Sequence, residues 1–297
     1  MSDQVALIGA GAMGGAIGVR LLETGTAVSV FDLDEAKVAA LVAKGARAAS
    51  SAADAAAGAS AVITSLNASR IVGLAVFGEG GVAEGSAPGT LIIDMSSIDP
   101  EATRGFAADA SARGLAWVDS PLSGGAPKAA IGELTLMMGG EAKDVTQAQH
   151  VLRNVAANMT HMGPAGAGQT TKIINQVLCG LGFLAVAEAT QLAQDAGVDA
   201  EKIPVALKGG RADSALLQEY MPRMATKDYR RTGRIDNMVK DLNMANDLSR
   251  HTGTSMPMTA LCTEIHRMLT AAGLGGEDQA AVMEFFNGAS ADLTSEA

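Results

Sequence analysis

The run GAGQTTKIINQ places a lysine and an asparagine where they could move a proton. In a helix, Gly168, Lys172 and Asn175 fall at i, i+4 and i+7 and share one face. Much of the rest of that helix is apolar. An amine and an amide facing inward there are costly unless paired or liganded. A lysine's pKa falls readily on burial, which suits it to general acid/base work. The ordinary alternative is a lysine that snorkels from the helix start to water.

The N-terminus supplies a second candidate site, one for a dinucleotide. VALIGAGAMGGAIG is a buried-type strand running into Gly9, Gly11 and Gly14 at G-x-G-x-x-G spacing. The first glycine permits the tight turn, the second lets backbone approach a pyrophosphate, and the third lets the next helix pack on the strand. That helix, from Ala12 and Met13 to about Thr24, aims its N-terminal amides at the pyrophosphate. Asp32 ends the next strand, about 20 positions on, where a carboxylate binds ribose hydroxyls and repels a 2′-phosphate. Asp34 is close enough to share that role, and Lys37 is expected to face solvent. The cofactor expected is therefore NAD, in preference to NADP.

Two further stretches bear polar groups. Ser123-Gly124-Gly125 in DSPLSGGAPKAA exposes consecutive amides and a hydroxyl, a concavity suited to a carboxylate, or an ordinary surface turn. Lys240-Asp241 in NMVKDLNMA is a second charged pair, although Asp236 four residues before Lys240 offers a plain helical ion pair. Arg230, Arg231 and Arg234 precede it as a basic patch or a solvated loop.

The elements that must hold these groups follow from hydrophobic patterning. Val5–Ile8, Val28–Phe31, Ala61–Ser65 and Leu91–Asp94 read as buried strands, with others ending at Val118 and covering Leu134–Met138. Helices between them, such as Glu35–Ala43 and Glu101–Arg113, give the alternation of a doubly wound parallel sheet. Ligands bind at the carboxyl ends of such strands, so the loops after Ser65, Asp94 and Val118 are the candidates. After about Met162 a Gly/Pro-punctuated break follows and strand patterns vanish. A long helix over Gly168–Asp195 leads into Glu201–Lys208, Asp213–Tyr220, Asn237–His251, Met256–Ala272 and Gln279–Asn287. The expected layout is α/β: a sheet domain over 1–163, then a long interdomain helix and an all-α domain over 164–297.

Composition narrows the function classes. The 297 residues suffice for two cores, and 48% hydrophobic against 18% charged residues reads as globular. A net charge of −10 excludes an extended nucleic-acid surface. Cys179 and Cys262 lie in apolar helical contexts as buried thiols. The histidines, His150, His161, His251 and His266, form no metal-ligand pattern, so no metal is expected. The N-terminus lacks a signal-peptide layout, and the apolar stretch Val177–Ala187 is short for a bilayer. No membrane association and a cytoplasmic location are the expectation.

These motifs together resemble the β-hydroxyacid dehydrogenase family, which includes 3-hydroxyisobutyrate and L-threonate dehydrogenases. GAGAMGGAIG resembles its cofactor fingerprint, DSPLSGG its substrate-binding stretch, GQTTKIINQ its catalytic segment and VKDLNMA its C-terminal lysine motif. The likeness spans nearly the whole chain, and SGGAPKAAIGELTLMMGG is similar to the L-threonate branch. The resemblance implies a Rossmann domain and NAD-dependent interconversion of a small 3-hydroxy acid and its oxo form. Lys172 would be the general acid/base, and Asn175 would bind substrate near the reacting hydroxyl or carboxylate. Ser123, Gly124 and Gly125 would hold the substrate carboxylate. Lys240 would lie near substrate and nicotinamide, with Leu66 and Ser96 lining the cofactor. A homodimer or homotetramer is implied, the long helix contributing to its contact. Imine reductases share the architecture but usually carry another residue at the lysine position; a non-catalytic NAD-binding protein is the other alternative. Two departures stand out: Asn67 follows Leu66 where the family commonly has proline, and YRRTGRIDNM replaces an apolar, aromatic segment. The second favours a polyhydroxylated or diacid substrate.

Overall fold

Strand runs without a polar side have no face to show water, and they become the middle of a sheet. In the computed structural model, which describes residues 4–286, the first such run is β1 (Gln4–Ile8), followed by α1 (Ala12–Glu23) and β2 (Ala27–Phe31). Next come α2 (Glu35–Val42), the two-residue β3 (Arg47–Ala48), α3 (Ala52–Ala56) and β4 (Ala61–Thr64). Then follow α4 (Ser69–Phe77), α5 (Val82–Gly85), β5 (Leu91–Asp94), α6 (Pro100–Ala112) and β6 (Ala116–Asp119). The sheet portion closes with β7 (Leu122–Ser123), α7 (Gly125–Ile131), β8 (Leu134–Gly140), α8 (Ala142–Leu152) and β9 (Ala156–Gly163). Strand order is β3-β2-β1-β4-β5-β6-β8-β7, with β9 paired to β8. From β3 to β6 every pairing is parallel, and the order reverses between β1 and β4, the switch point where such sheets bind ligands. All four residues of β4 and of β5 are buried. Helices cover both faces through two apolar clusters, one around Leu7, Ile17, Leu21 and Ile63, the other around Ile8, Val72, Val76 and Trp117.

The expected all-parallel sheet needs one amendment. β8 runs antiparallel to β6 and β7, because the chain after β6 turns back through β7 and the short α7 and makes no full crossover. β9 was not expected either. It is a largely exposed edge strand containing Asn158, Thr160 and His161, with none of the apolar alternation that marks a strand.

The chain divides into two compact units, meeting in sequence between Lys172 and Ile173. That boundary falls inside α9 (Ala167–Asp195), a single helix of 29 residues. By length and composition α9 reaches the requirement for crossing a bilayer, so the shorter apolar count from sequence understated it. It nonetheless begins with Gln169, Lys172, Asn175 and Gln176, and buries Phe183, Val186 and Ala187 in the second unit's core.

Among its described residues, the regular elements of the second unit are helical, joined by loops and one isolated bridge, Arg234 with Asp278. A 3₁₀ turn (Ala200–Lys202) leads into α10 (Ile203–Leu207), α11 (Ala215–Ala225), α12 (Ile235–Thr252) and α13 (Pro257–Leu269). α11 continues past the expected end at Tyr220 and carries Pro222 inside it. α13 stops short of Ala272 in a π turn ending near Gly273, whose φ is +90°. The last described element, Gln279–Phe285, is 3₁₀ in form; Asn287, placed in that helix from sequence, lies outside the described residues. Cys262 is buried, which pushes its thiol up to about 12, whereas Cys179 is only half-buried.

Candidate active site

The glycine turn has the geometry of an anion cradle. Gly9 adopts φ +96°, and its N–H donates to Phe31 O at 2.9 Å, linking the turn to β2. A Cβ on Gly14 would meet Gly9 O at 1.9 Å, so α1 rests directly on the turn. A Cβ on Gly11 would meet nothing within 4 Å: the space above it is open. No side chain caps α1 and no acidic residue occupies its first turn. Its first amides therefore carry the partial positive charge of a helix start, and the residues present fit a pyrophosphate.

Asp32 accepts from Ala10 N at 2.6 Å through Oδ2 and from Asp34 N at 2.9 Å through Oδ1. It thus braces the glycine turn, and each carboxylate oxygen keeps acceptor capacity for a hydroxyl. Asp34 is engaged with its own helix. It caps α2, accepting from Ala36 N and Lys37 N, and pairs with Lys37 at 3.0 Å. Lys37 is accordingly exposed but not solitary.

Leu66 and Ser96 lie at neighbouring strand ends. Leu66 N donates to Ser96 Oγ at 3.0 Å, and a Cβ on Gly9 would lie 2.9 Å from Leu66 Cδ2. The structure therefore gathers Gly9, Gly14, Leu66 and Ser96 around one strand-end crevice. Ala12 and Met13 open α1 beside it, Ala12 exposed and Met13 half-buried. Asn67 is exposed in the loop before α4. Ser123 belongs to β7 and pairs with Thr135 of β8. Gly124 and Gly125 follow with φ +117° and +69°, values that aim consecutive amides away from the regular ladder.

Sequence reasoning missed three buried polar residues that organise this region. Asp94 at the end of β5 accepts from Thr64 Oγ1 at 2.8 Å and Ser96 N at 3.1 Å, both on Oδ1. Asp119 at the end of β6 accepts from Gly166 N and Gln169 N. Gln169 in turn donates from Nε2 to Ser96 O at 2.8 Å and accepts from Ile98 N at 3.1 Å. The available signal was a carboxylate closing each of two apolar strands, LIID and AWVD. Through Gln169, the first turn of α9 is tied to the loop that bears Ser96. Lys172 follows one turn later, half-buried, still within the first unit.

Burial pushes the Asp94 carboxyl up to about 6, against the hydrogen bonds from Ser96 and Thr64, with the nearby Asp119 charge adding to the rise. Burial likewise raises Asp119. Between an ordinary aspartate value near 3.9 and about 6, the folded chain holds a proton that the unfolded chain has lost. This contribution to stability therefore falls as pH rises through that window, by up to about 3 kcal/mol. Asp94→Asn keeps Oδ1 as acceptor but sets an NH₂ where Oδ2 has no partner, at about 1–3 kcal/mol. The expected result, read by thermal melts at pH 4 and pH 7.5, is a variant-minus-native difference that moves in the variant's favour at the higher pH. A pH-independent difference would refute the assignment.

In the second unit, Asn175 donates from Nδ2 to Gln176 Oε1 at 2.8 Å and contacts Cys179 Sγ at 3.7 Å. Gln176 Nε2 bonds Asp241 Oδ2 at 2.5 Å, fastening α9 to α12. Lys240, half-buried on α12, pairs with Asp241 at 3.3 Å. The sequence offered Asp236 as its helical partner, but Asp236 pairs with Arg234. Arg230 pairs with Asp228, and that partner holds the Asp228 carboxyl down to about 2. The basic run is therefore largely a set of ion pairs.

Comparison with known proteins gives the chain its relatives. Residues 4–163 match the family described as the NAD binding domain of 6-phosphogluconate dehydrogenase. Residues 166–286 match the NAD-binding region of NADP-dependent 3-hydroxyisobutyrate dehydrogenase. The chain is 35% identical to an NAD-dependent L-serine dehydrogenase of Pseudomonas aeruginosa over 96% of its length and 98% of the relative's. It is 32% identical to an L-threonate dehydrogenase of Cupriavidus necator, covering 97% of each. A solved 3-hydroxyisobutyrate dehydrogenase of Mycobacterium tuberculosis with L-serine superposes with a TM-score of 0.88 at 29% identity, over 97% of this chain and 100% of that one.

Proposed function

Because the chain belongs to the β-hydroxyacid dehydrogenase family, NAD-dependent oxidoreductases of 3-hydroxy acids, we propose that Lys172 is its general acid/base and that its substrate is a small, polar 3-hydroxy acid. The observation that carries the lysine assignment is the bonding of Gln169, one turn before Lys172, to the Ser96 loop beside the glycine turn. That bonding fixes the start of the lysine's helix against the loops that receive the cofactor.

Gly9, Gly11, Ala12, Met13 and Gly14 would hold the pyrophosphate, Asp32 the adenosine ribose, and Leu66 and Ser96 the inner half of the dinucleotide. NAD supplies the hydride acceptor. The protein's part is proton management and alignment. In oxidation, neutral Lys172 takes the hydroxyl proton on Nζ; in reduction, the ammonium returns it to the oxo oxygen. Ser123, Gly124 and Gly125 would hold the carboxylate, with Asn175 and Lys240 completing the substrate contacts. The Asp32 carboxylate supports NAD over NADP. We assign the sheet portion, 1–163, to cofactor binding and 164–297 to substrate binding and assembly. The exposed Ile174 and Leu178, one turn apart on α9, supply an apolar face for a homodimer or homotetramer in the cytoplasm.

A polar substrate suits the charged YRRTGRIDNM segment, and serine and threonate are the named substrates of two relatives. The test is a steady-state screen of L-serine, L-threonate, glycerate and 3-hydroxyisobutyrate with NAD and with NADP. The highest kcat/KM is expected for a polar acid with NAD. Preference for 3-hydroxyisobutyrate overturns the substrate reading, preference for NADP overturns the Asp32 reading, and no turnover of any acid overturns the proposal.

A further inference from the structure

Asp119 is wholly buried, and its carboxylate lies beside a second buried carboxylate, Asp94, its register partner across β5 and β6. The proton transfer assigned to Lys172 makes no use of it. A buried carboxylate is expensive unless donors answer its charge. Here the donors are backbone amides at the start of α9: Gly166 N at 2.8 Å from Oδ1 and Gln169 N at 2.9 Å from Oδ2. A side chain from a distant strand therefore does the capping that a helix ordinarily receives from its own preceding residue.

Two glycines make the fit possible. A Cβ on Gly139 would lie 2.6 Å from Asp119 Oδ1. A Cβ on Gly168 would lie 2.8 Å from Oδ2 and 2.4 Å from Met137 O. Gly168, four residues before Lys172, thus contributes closeness of approach. It brings the helix onto the ends of β6 and β8 at the depth where both carboxylate oxygens are used.

We propose that Asp119 is a positioning residue for this enzyme: its carboxylate fixes the depth and rotation of the first turn of α9, and through the backbone fixes where Lys172 presents its amine. The proposal rests on Lys172 being the general acid/base. Two bonds from one planar carboxylate to amides three residues apart oppose both sliding and turning of the helix. A charged acceptor makes those bonds about twice as strong as a neutral one, and it complements the helix dipole. Asparagine at this position presents an NH₂ to one of the two amides, so one bond becomes a donor–donor clash. Lys172 is three residues beyond Gln169, and a misplacement of about 1 Å at a reacting group costs on the order of a hundredfold in rate.

The test is Asp119→Asn in the full-length enzyme at saturating NAD and substrate. Thermal stability, NAD affinity, kcat, KM and the deuterium isotope effect on kcat are measured together. The expected result is a folded protein with unchanged NAD affinity, kcat lower by about 10- to 100-fold and an enlarged isotope effect. The enlarged effect reports that the chemical step itself has slowed, which loss of folded protein cannot mimic. Wild-type kcat in the folded variant overturns the proposal, and so does a kcat loss with no change in isotope effect. If Asp119→Asn does not fold, Asp119→Ser, a shorter neutral acceptor, is judged by the same two outcomes. Lys172→Ala run alongside separates the two assignments. If Lys172→Ala turns over normally, both fall; if it is inactive while Asp119→Asn has native kcat, only the positioning role falls.

Discussion

Lys172→Ala should lose about a thousandfold or more in kcat while still binding NAD. A thousandfold corresponds to about 4 kcal/mol of transition-state stabilisation, the middle of what one positioned proton-transfer group supplies. Alanine is the best helix former, so α9 loses nothing locally at that position. The cofactor turn is untouched, because Gly9, Gly14, Leu66 and Ser96 are held by one another and by Asp32 and Asp94. Lys172→Arg separates charge from proton transfer. Guanidinium keeps the cation but does not deprotonate in proteins, so it cannot accept the hydroxyl proton. Both variants should therefore fail in oxidation while circular dichroism and NAD titration stay native. An active Lys172→Arg together with an inactive Lys172→Ala would recast the lysine as an electrostatic anchor for substrate.

What the chain's sequence disclosed, and what it withheld, divides along the range of the interactions involved. The runs Val5–Ile8, Ala61–Thr64 and Leu91–Asp94 were legible because a strand buried on both faces is apolar at nearly every position, here at all but the closing Thr64 and Asp94. β3 and β7, two residues each, carry too little pattern, and β9 is a polar edge. The reversed direction of β8 depends on how the chain returns after β6, which no periodicity encodes. The helix expected to end at Tyr220 continues through Pro222 to Ala225 around a core of Leu217, Met221 and Met224. Tertiary burial outweighed the local rule.

The site divides the same way. The spacing of Gly9, Gly11 and Gly14, and of Gly168, Lys172 and Asn175, is local, and a helix or turn converts it directly into placement. The polar residues that set those groups act over long separations: 47 residues from Asp119 to Gly166 and 73 from Gln169 to Ser96. Asp34 shows the converse case, a local contact that the position near a strand end did not announce. An acid near a strand end suggested a share in ribose binding, but α2 starts at Glu35, where its pattern placed it, and the Asp34 carboxylate is its cap.

Gly14→Ala and Gly11→Ala should fail for opposite reasons, and the pair isolates what the glycine turn does. At Gly14 the new Cβ would lie 1.9 Å from Gly9 O, a backbone atom whose own residue is held to Phe31 O. Neither partner can step aside cheaply: α1 is keyed into the core by Ile17 and Leu21, and β1 is paired on both sides. Overpacking of this kind destabilises by about 1–3 kcal/mol or more, and the displaced helix start no longer aims its amides at a pyrophosphate. The expected result is a fall in melting temperature together with loss of NAD affinity. At Gly11 the backbone is extended, with φ −61° and ψ −171°, which any residue adopts, and a Cβ meets open space. Gly11→Ala should therefore melt like the native protein yet bind NAD about tenfold more weakly or worse, because the methyl group stands where the pyrophosphate must approach. Native NAD affinity in Gly11→Ala would mean that the open space above the turn is not where the dinucleotide lies, and the cofactor half of the site would have to be sought elsewhere on the sheet.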